Sequence, residues 1–180
     1  VMTVDGSGLD ETAFSQIHEM TDAALDEALE RFVEMREAEG AAISADVSSK
    51  LEAMRENLEK LKARAPLVAE DYRARLRARM EELLDGVPLD ETRMAMEAAI
   101  FAERSCVDEE LTRIESHIAQ MRVFLRQNGA VGRKLDFLTQ EMNREANTIG
   151  SKANDITITN IALEMKSDIE KIREQVQNLE

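Results

Sequence analysis

The sequence holds no tryptophan, one tyrosine and five phenylalanines, so it lacks the bulky filling on which β-sandwiches and barrels depend. Alternating β-branched runs are almost absent too, which argues against sandwiches and Rossmann-type folds. Two prolines and seven glycines are few for 180 residues, and this scarcity favours a long helical assembly. A single cysteine excludes an internal disulfide and a cysteine-based zinc site. No apolar run approaches the roughly 20 residues that cross a bilayer, and the start has neither the basic nor the apolar segment of a signal peptide. A soluble, reducing, cytoplasmic setting without a membrane is the expectation. Val1 stands where an initiator methionine would, so the chain reads as a piece of something longer.

What the sequence does have is charge and methionine: 33% of residues are charged, and ten are Met. The net charge of −14 argues against a chain that simply coats nucleic acid. Its distribution is uneven. Residues 1–103 hold 24 acids and 12 bases, whereas residues 104–180 hold 13 acids and 11 bases. The second part can therefore still present a local basic surface.

Apolar spacing predicts an all-α chain. A first helix is expected over residues 10–40, capped by Asp10 and ended by Gly40, with Phe14, Ile17, Leu25, Ala28, Phe32 and Met35 as its buried stripe. A second, over 44–86, carries Val47, Leu51, Met54, Leu58, Leu61, Ala65, Val68, Tyr72, Leu76, Met80 and Leu83. These recur mainly at alternating steps of four and three, which is a coiled-coil seam. About 40 such residues reach roughly 60 Å, more than a compact domain needs. Pro66 should kink or break that helix. The charges beside the seam, among them Arg55, Lys62, Arg64, Arg73 and Arg77, read either as a solvated face or as an RNA groove.

After a turn at Gly86, Val87 and Pro88, a third helix is expected over 90–127, with Leu111, Ile114, Ile118, Met121 and Leu125 as its later seam. The short connection makes it antiparallel to the second, forming a hairpin stalk. Asn128 and Gly129 stop it. A fourth helix over 131–149 buries Leu135, Leu138, Met142, Ala146 and Ile149. The last is capped by Asn154 or Asp155 and buries Ile161, Met165, Ile169, Ile172, Val176 and Leu179. Residues 156–161 alternate Ile and Thr, so a short strand is the alternative there.

Candidate chemistry concentrates in residues 140–152. Asn143, Asn147, Thr148, Gly150 and Ser151 are poor choices for a generic surface helix, so packing or function must outweigh propensity. Helical spacing puts Glu141, Glu145, Thr148 and Lys152 on one face, with Asp136, Gln140, Asn143 and Asn147 along another. Carboxylates at i and i+4 can share a hard divalent cation, and Arg144 and Lys152 can hold phosphate beside it. Spacing alone favours the plainer alternative, in which the same residues form interhelical hydrogen bonds and salt bridges. A second cluster aligns Glu110, Arg113 and His117, with Glu109 placed to pair with Arg113. Imidazole exchanges protons near neutral pH, although a lone helical histidine is commonly a surface or packing residue. Cys106 has no nearby His and reads as an inert buried thiol; His18 has no neighbours of interest. No phosphate-binding glycine loop, Ser-His-Asp signature or zinc spacing is present.

The residues Gly132-Arg133-Lys134-Leu135-Asp136-Phe137-Leu138, then Gln140-Glu141-Met142-Asn143-Arg144-Glu145-Ala146-Asn147-Thr148, then Ser151-Lys152, closely resemble the C-terminal domain of the YicC family of bacterial endoribonucleases. Residues 169–180 resemble that family's terminus. So do Glu109-Glu110-Leu111, Arg113 and Ser116-His117, and Arg36, Glu37, Glu39 and Gly40 resemble the Arg-x-x-Glu-Gly after its N-terminal domain. The resemblance implies a divalent-metal-dependent enzyme that cuts RNA internally, with Mn²⁺ or Mg²⁺ as cofactor, acting as a homohexamer that encloses the strand. It implies that residues 1–43 are the helical tail of a truncated N-terminal domain, 44–103 a coiled-coil stalk, and 104–180 a C-terminal helical domain. Carried over residue by residue, Asp136, Glu141, Glu145 and Glu110 become metal ligands. Arg133, Lys134, Arg144, Lys152 and Arg113 become RNA contacts, and His117, Glu141 and Glu145 become catalytic. Cys106 departs from the Asp usual in the family's Asp-Ile-x-Glu-Glu pattern. The competing expectation is a non-catalytic coiled-coil scaffold.

Overall fold

The computed structural model describes residues 11–84, 88–127 and 129–177, and every regular element among them is an α-helix. These are α1 (Glu11–Leu84), α2 (Glu91–Ser105), α3 (Asp108–Phe124), α4 (Gly132–Lys152) and α5 (Ile156–Val176). The chain forms two compact units, residues 1–42 and 43–180.

The described part of the first unit is the stretch of α1 before Ile43. Its expected buried stripe is exposed: Phe14, Ile17, Leu25, Phe32 and Met35 are each more than half accessible, and Ala28 is exposed as well. An amphipathic helix buries its stripe only against another element, and this unit supplies none among its described residues. Local ties hold it instead. Arg31 pairs with Glu27 at 2.5 Å, the Thr21 hydroxyl donates to the Ile17 carbonyl, and the Arg36 guanidinium lies 5.9 Å from the centre of the Phe32 ring. Gly40 does not end the helix, and Ser44 does not begin another. A mid-helix glycine costs about 1 kcal/mol relative to alanine but forces no stop, and Ala41 and Ala42 follow it. Asp10, the expected cap, lies outside the described residues.

In the second unit the seam of α1 is buried through Val47, Leu51, Met54, Leu58, Leu61 and Val68, with Ala65 partly covered. It thins beyond that point: Tyr72, Leu76 and Met80 are half-buried, and Leu83 is exposed. Pro66 lies inside α1 without ending it. Proline removes the donor that would reach the Lys62 carbonyl, yet buried Leu61 and Val68 on either side anchor the helix through it.

The third expected helix is in fact two, separated at Cys106 and Val107. Cys106 is extended at φ −64° and ψ 126°, and Val107 leaves helical geometry with its side chain in the core. Asp108, Glu109 and Glu110 then open α3, where carboxylates suit the positive end of the helix dipole. Cross-pairs fix the direction. Glu52 meets Arg122 at 2.6 Å, Lys62 meets Glu115 at 2.9 Å, Tyr72 stacks on Phe101 with ring centres 3.7 Å apart, and Arg77 meets Glu91 at 2.6 Å. Numbers rise along α1 as they fall along α3 and α2, so the hairpin is antiparallel, as expected. Gly86 and Val87 of its turn lie outside the described residues.

α4 buries Leu135, Leu138, Met142, Ala146 and Ile149, and α5 buries Ile161, Met165, Ile169, Ile172 and Val176. Leu179 lies outside the described residues, as does Asn128 of the turn before α4; Gly129 in that turn adopts a left-handed φ of 105°. Residues 156–161 are helix rather than strand. Asp155 decides this: its carboxylate accepts from the Ile158 N–H at 3.0 Å, and its carbonyl accepts from the Thr159 hydroxyl at 2.8 Å. Asn154 turns the chain into α5 with φ 44°, a conformation asparagine tolerates.

Asp155 also takes a 2.7 Å bond from Arg64 of α1, which bonds Asp71 as well. The Arg64 bond, aided by the Ile158 N–H, holds the Asp155 carboxyl below its ordinary range. Denaturant unfolding at pH 7 should rank wild type above Asp155→Asn, which keeps a capping oxygen, and Asp155→Ala lowest by about 1 kcal/mol for the cap alone. Because the folded pKa is depressed, the carboxylate's contribution is present above its unfolded value of about 3.9. It is lost as pH falls through the folded value, so the gap between wild type and Asp155→Asn should close below about pH 4.

Candidate functional site

Three polar rungs cross between α3 and α4, which are antiparallel to each other. The Lys152 ammonium donates to Glu110 Oε1 at 2.7 Å. Arg113 donates to Glu145 Oε1 at 3.2 Å and also bonds Glu109 one turn back. At the third rung His117, Glu141 and Glu145 each offer one donor atom, and the three atoms lie within 4.8 Å of one another. Steps of three and four place Glu110, Arg113 and His117 on one face of α3, and steps of four and seven place Glu141, Glu145 and Lys152 on one face of α4. Buried Leu111, Ile114 and Ile118 beside the first set, and Met142, Ala146 and Ile149 beside the second, bring the two faces together.

Two carboxylates here are deeply covered. The side chains of Glu110 and Glu145 are 7% and 5% exposed, whereas their partners Lys152 and Arg113 reach solvent. Burying a carboxylate without a cation is costly, so each pair holds its helices in register. The bonded carboxylates raise the pKa of both cations, Glu145 that of Arg113 and Glu110 that of Lys152. Six buried side-chain atoms among the described residues have no hydrogen-bond partner, and two of them, Glu110 Oε2 and His117 Nδ1, belong to these rungs. Buried polar atoms are normally satisfied, and an imidazole that meets two carboxylates and keeps one nitrogen unbonded fits a cation-binding role. One nitrogen and two carboxylate oxygens are a donor set that suits Mn²⁺ and accommodates Mg²⁺ less readily.

The other sequence candidates fall elsewhere. Asp136 accepts from Gln140 at 2.7 Å and faces Arg173 of α5 at 3.6 Å, and neither it nor Glu110 joins the His117 cluster. Lys134 lies 5.2 Å from the centre of the Phe124 ring. Arg133 and Arg144 are exposed, and neither has an ion-pair partner among the described residues. Cys106 is exposed rather than buried, with its sulfur 3.6 Å from Asp108 Oδ2, because it occupies the joint between α2 and α3. Sequence reasoning missed Arg173 and Glu170, which brace α4 through Asp136 and Asn143. Their only signal was their place one turn apart on the flank of the α5 stripe.

Residues 61–180 match the family model described as Endoribonuclease YicC-like, C-terminal. The chain belongs to the YicC family. Over 162 residues it is 45% identical to the probable endoribonuclease YicC of Clostridioides difficile (strain 630), covering 89% of this chain and 55% of that protein. Over 157 residues it is 40% identical to the probable endoribonuclease YicC of Haemophilus influenzae, covering 87% and 54%. The chain spans about half the length of these curated relatives. The YicC-like region includes all three rungs, from Glu110 to Lys152.

Lys152→Met should leave the Glu110 carboxylate buried without its cation and lower unfolding stability by about 2 kcal/mol, discounted for the solvent that reaches Lys152. The double variant Glu110→Gln/Lys152→Met should recover part of that loss in a chemical melt.

Proposed function

We propose that the chain carries the catalytic part of a divalent-metal-dependent endoribonuclease, acting in the cytoplasm on RNA as a homo-oligomer, with six copies as the expected state. The observation that carries this reading is the convergence of His117, Glu141 and Glu145, with His117 Nδ1 buried and unsatisfied. A divalent cation there would supply charge neutralisation at a phosphodiester and make water more acidic. Glu141 and Glu145 would hold it, and His117 would help hold it or pass a proton to the departing oxygen.

The outer face of α4 supports a phosphate-binding role. Arg133, Phe137, Gln140, Arg144, Asn147 and Ser151 recur at steps of four and three, and all are exposed. Two arginines along it have no carboxylate partner among the described residues, so their guanidinium groups are open to a backbone phosphate without reading sequence.

One observation favours the second reading, a scaffold in which the helices only assemble copies: the apolar stripe of residues 14–35 is exposed. The two readings part on a simple assay. Labelled RNA incubated with the chain and Mn²⁺ should be cut internally, and a chelator should stop the cutting. Glu141→Gln and Glu145→Gln should each lower the rate at least a hundredfold while oligomer size and RNA retention persist. Cleavage at the wild-type rate by both variants removes the two carboxylates from the mechanism. Assembly with no chelator-sensitive cutting favours the scaffold.

A further inference from the structure

The proposed cation site has a neighbour whose charge opposes it. Arg113 lies one helical turn before His117 and bonds Glu145, a carboxylate 5% exposed that also belongs to the three-residue cluster. Glu109, one turn back on α3, bonds the same guanidinium from its outer side. The three side chains form a line of alternating charge, Glu109 to Arg113 to Glu145, running from solvent into the site. Arg113 is thereby committed to two carboxylates, unlike Arg133 and Arg144, which have none among the described residues.

We propose that Arg113 is a positioning residue that sets how strongly the site holds a divalent cation, by bonding the Glu145 carboxylate and neutralising part of its charge. Resting on the metal-site reading above, this gives Arg113 a role apart from the RNA contact that the family resemblance implies. A guanidinium bonded to a ligand carboxylate offsets part of its charge and repels the incoming cation, so it opposes metal binding. Glu109 moderates the effect, because it draws on the same guanidinium from the solvent side. Removing Arg113 and removing Glu109 should therefore change affinity in opposite directions, which a purely structural role would not do.

The test is direct Mn²⁺ titration of the full chain, read by the electron paramagnetic resonance signal of free Mn²⁺ and by the shift in melting temperature. Arg113→Gln should bind Mn²⁺ roughly three- to tenfold more tightly than wild type, and Glu109→Gln roughly twofold more weakly, since Glu109 is the more exposed group. Arg113→Lys keeps the charge and should stay close to wild type. Should Arg113→Gln fail to fold, the Glu109→Gln and Arg113→Lys pair still decides: unchanged or tighter binding in Glu109→Gln overturns the proposal. Equal or weaker binding in a folded Arg113→Gln overturns it as well. A wild-type chain whose Mn²⁺ binding is absent, or indifferent to Glu141→Gln and His117→Ala, sinks the metal site itself. Wild-type binding that those two variants abolish, with Arg113→Gln unchanged, sinks only the role of Arg113.

Discussion

The structure around the candidate site depends on how two carboxylates come to be buried between α3 and α4. Glu110 and Glu145 are almost fully covered, and each has one long cationic side chain reaching in from solvent to meet it. Removing a carboxylate from water is tolerable only with such a partner, so the two pairs dictate which turn of α3 faces which turn of α4. That register places His117 opposite Glu141 and Glu145. Sliding either helix by one turn would separate both pairs and disperse the cluster together.

A second constraint joins this layer to α1. Arg64 reaches Asp155, and Asp155 simultaneously caps α5. One carboxylate thus ends the turn after α4, begins the last helix and pins both to the hairpin. The buried seam of α1 from Val47 to Val68 lies in the same core as the stripes of α3, α4 and α5, so the hairpin and the helices bearing the candidate site form one packed body.

Much of this was legible in the chain. The periodicity of Leu135, Leu138, Met142, Ala146 and Ile149 gave α4 and its buried face, and the spacing of Glu141 with Glu145 and of Arg113 with His117 marked the residues that now converge. Asp155 was legible as a cap, and that cap overrode the Ile-Thr alternation that favours a strand. The misreadings share a cause. Gly40 lowers helix propensity locally, yet propensity is a weak term beside tertiary packing and good helix formers nearby. Glu109 and Glu110 were read for their pairing and site chemistry, and they also open a helix after the break at Cys106. Spacing set Asp136 on a different face from Glu141 and Glu145, and only the family resemblance grouped the three as metal ligands; Arg173 of α5 faces Asp136.

The joint at Cys106 has a practical corollary. The chain's sole thiol is exposed, at the bend that launches the helix carrying Arg113 and His117. A fluorophore or spin probe attached there would need no engineered residue, and would watch the entrance of α3 from just outside the first rung.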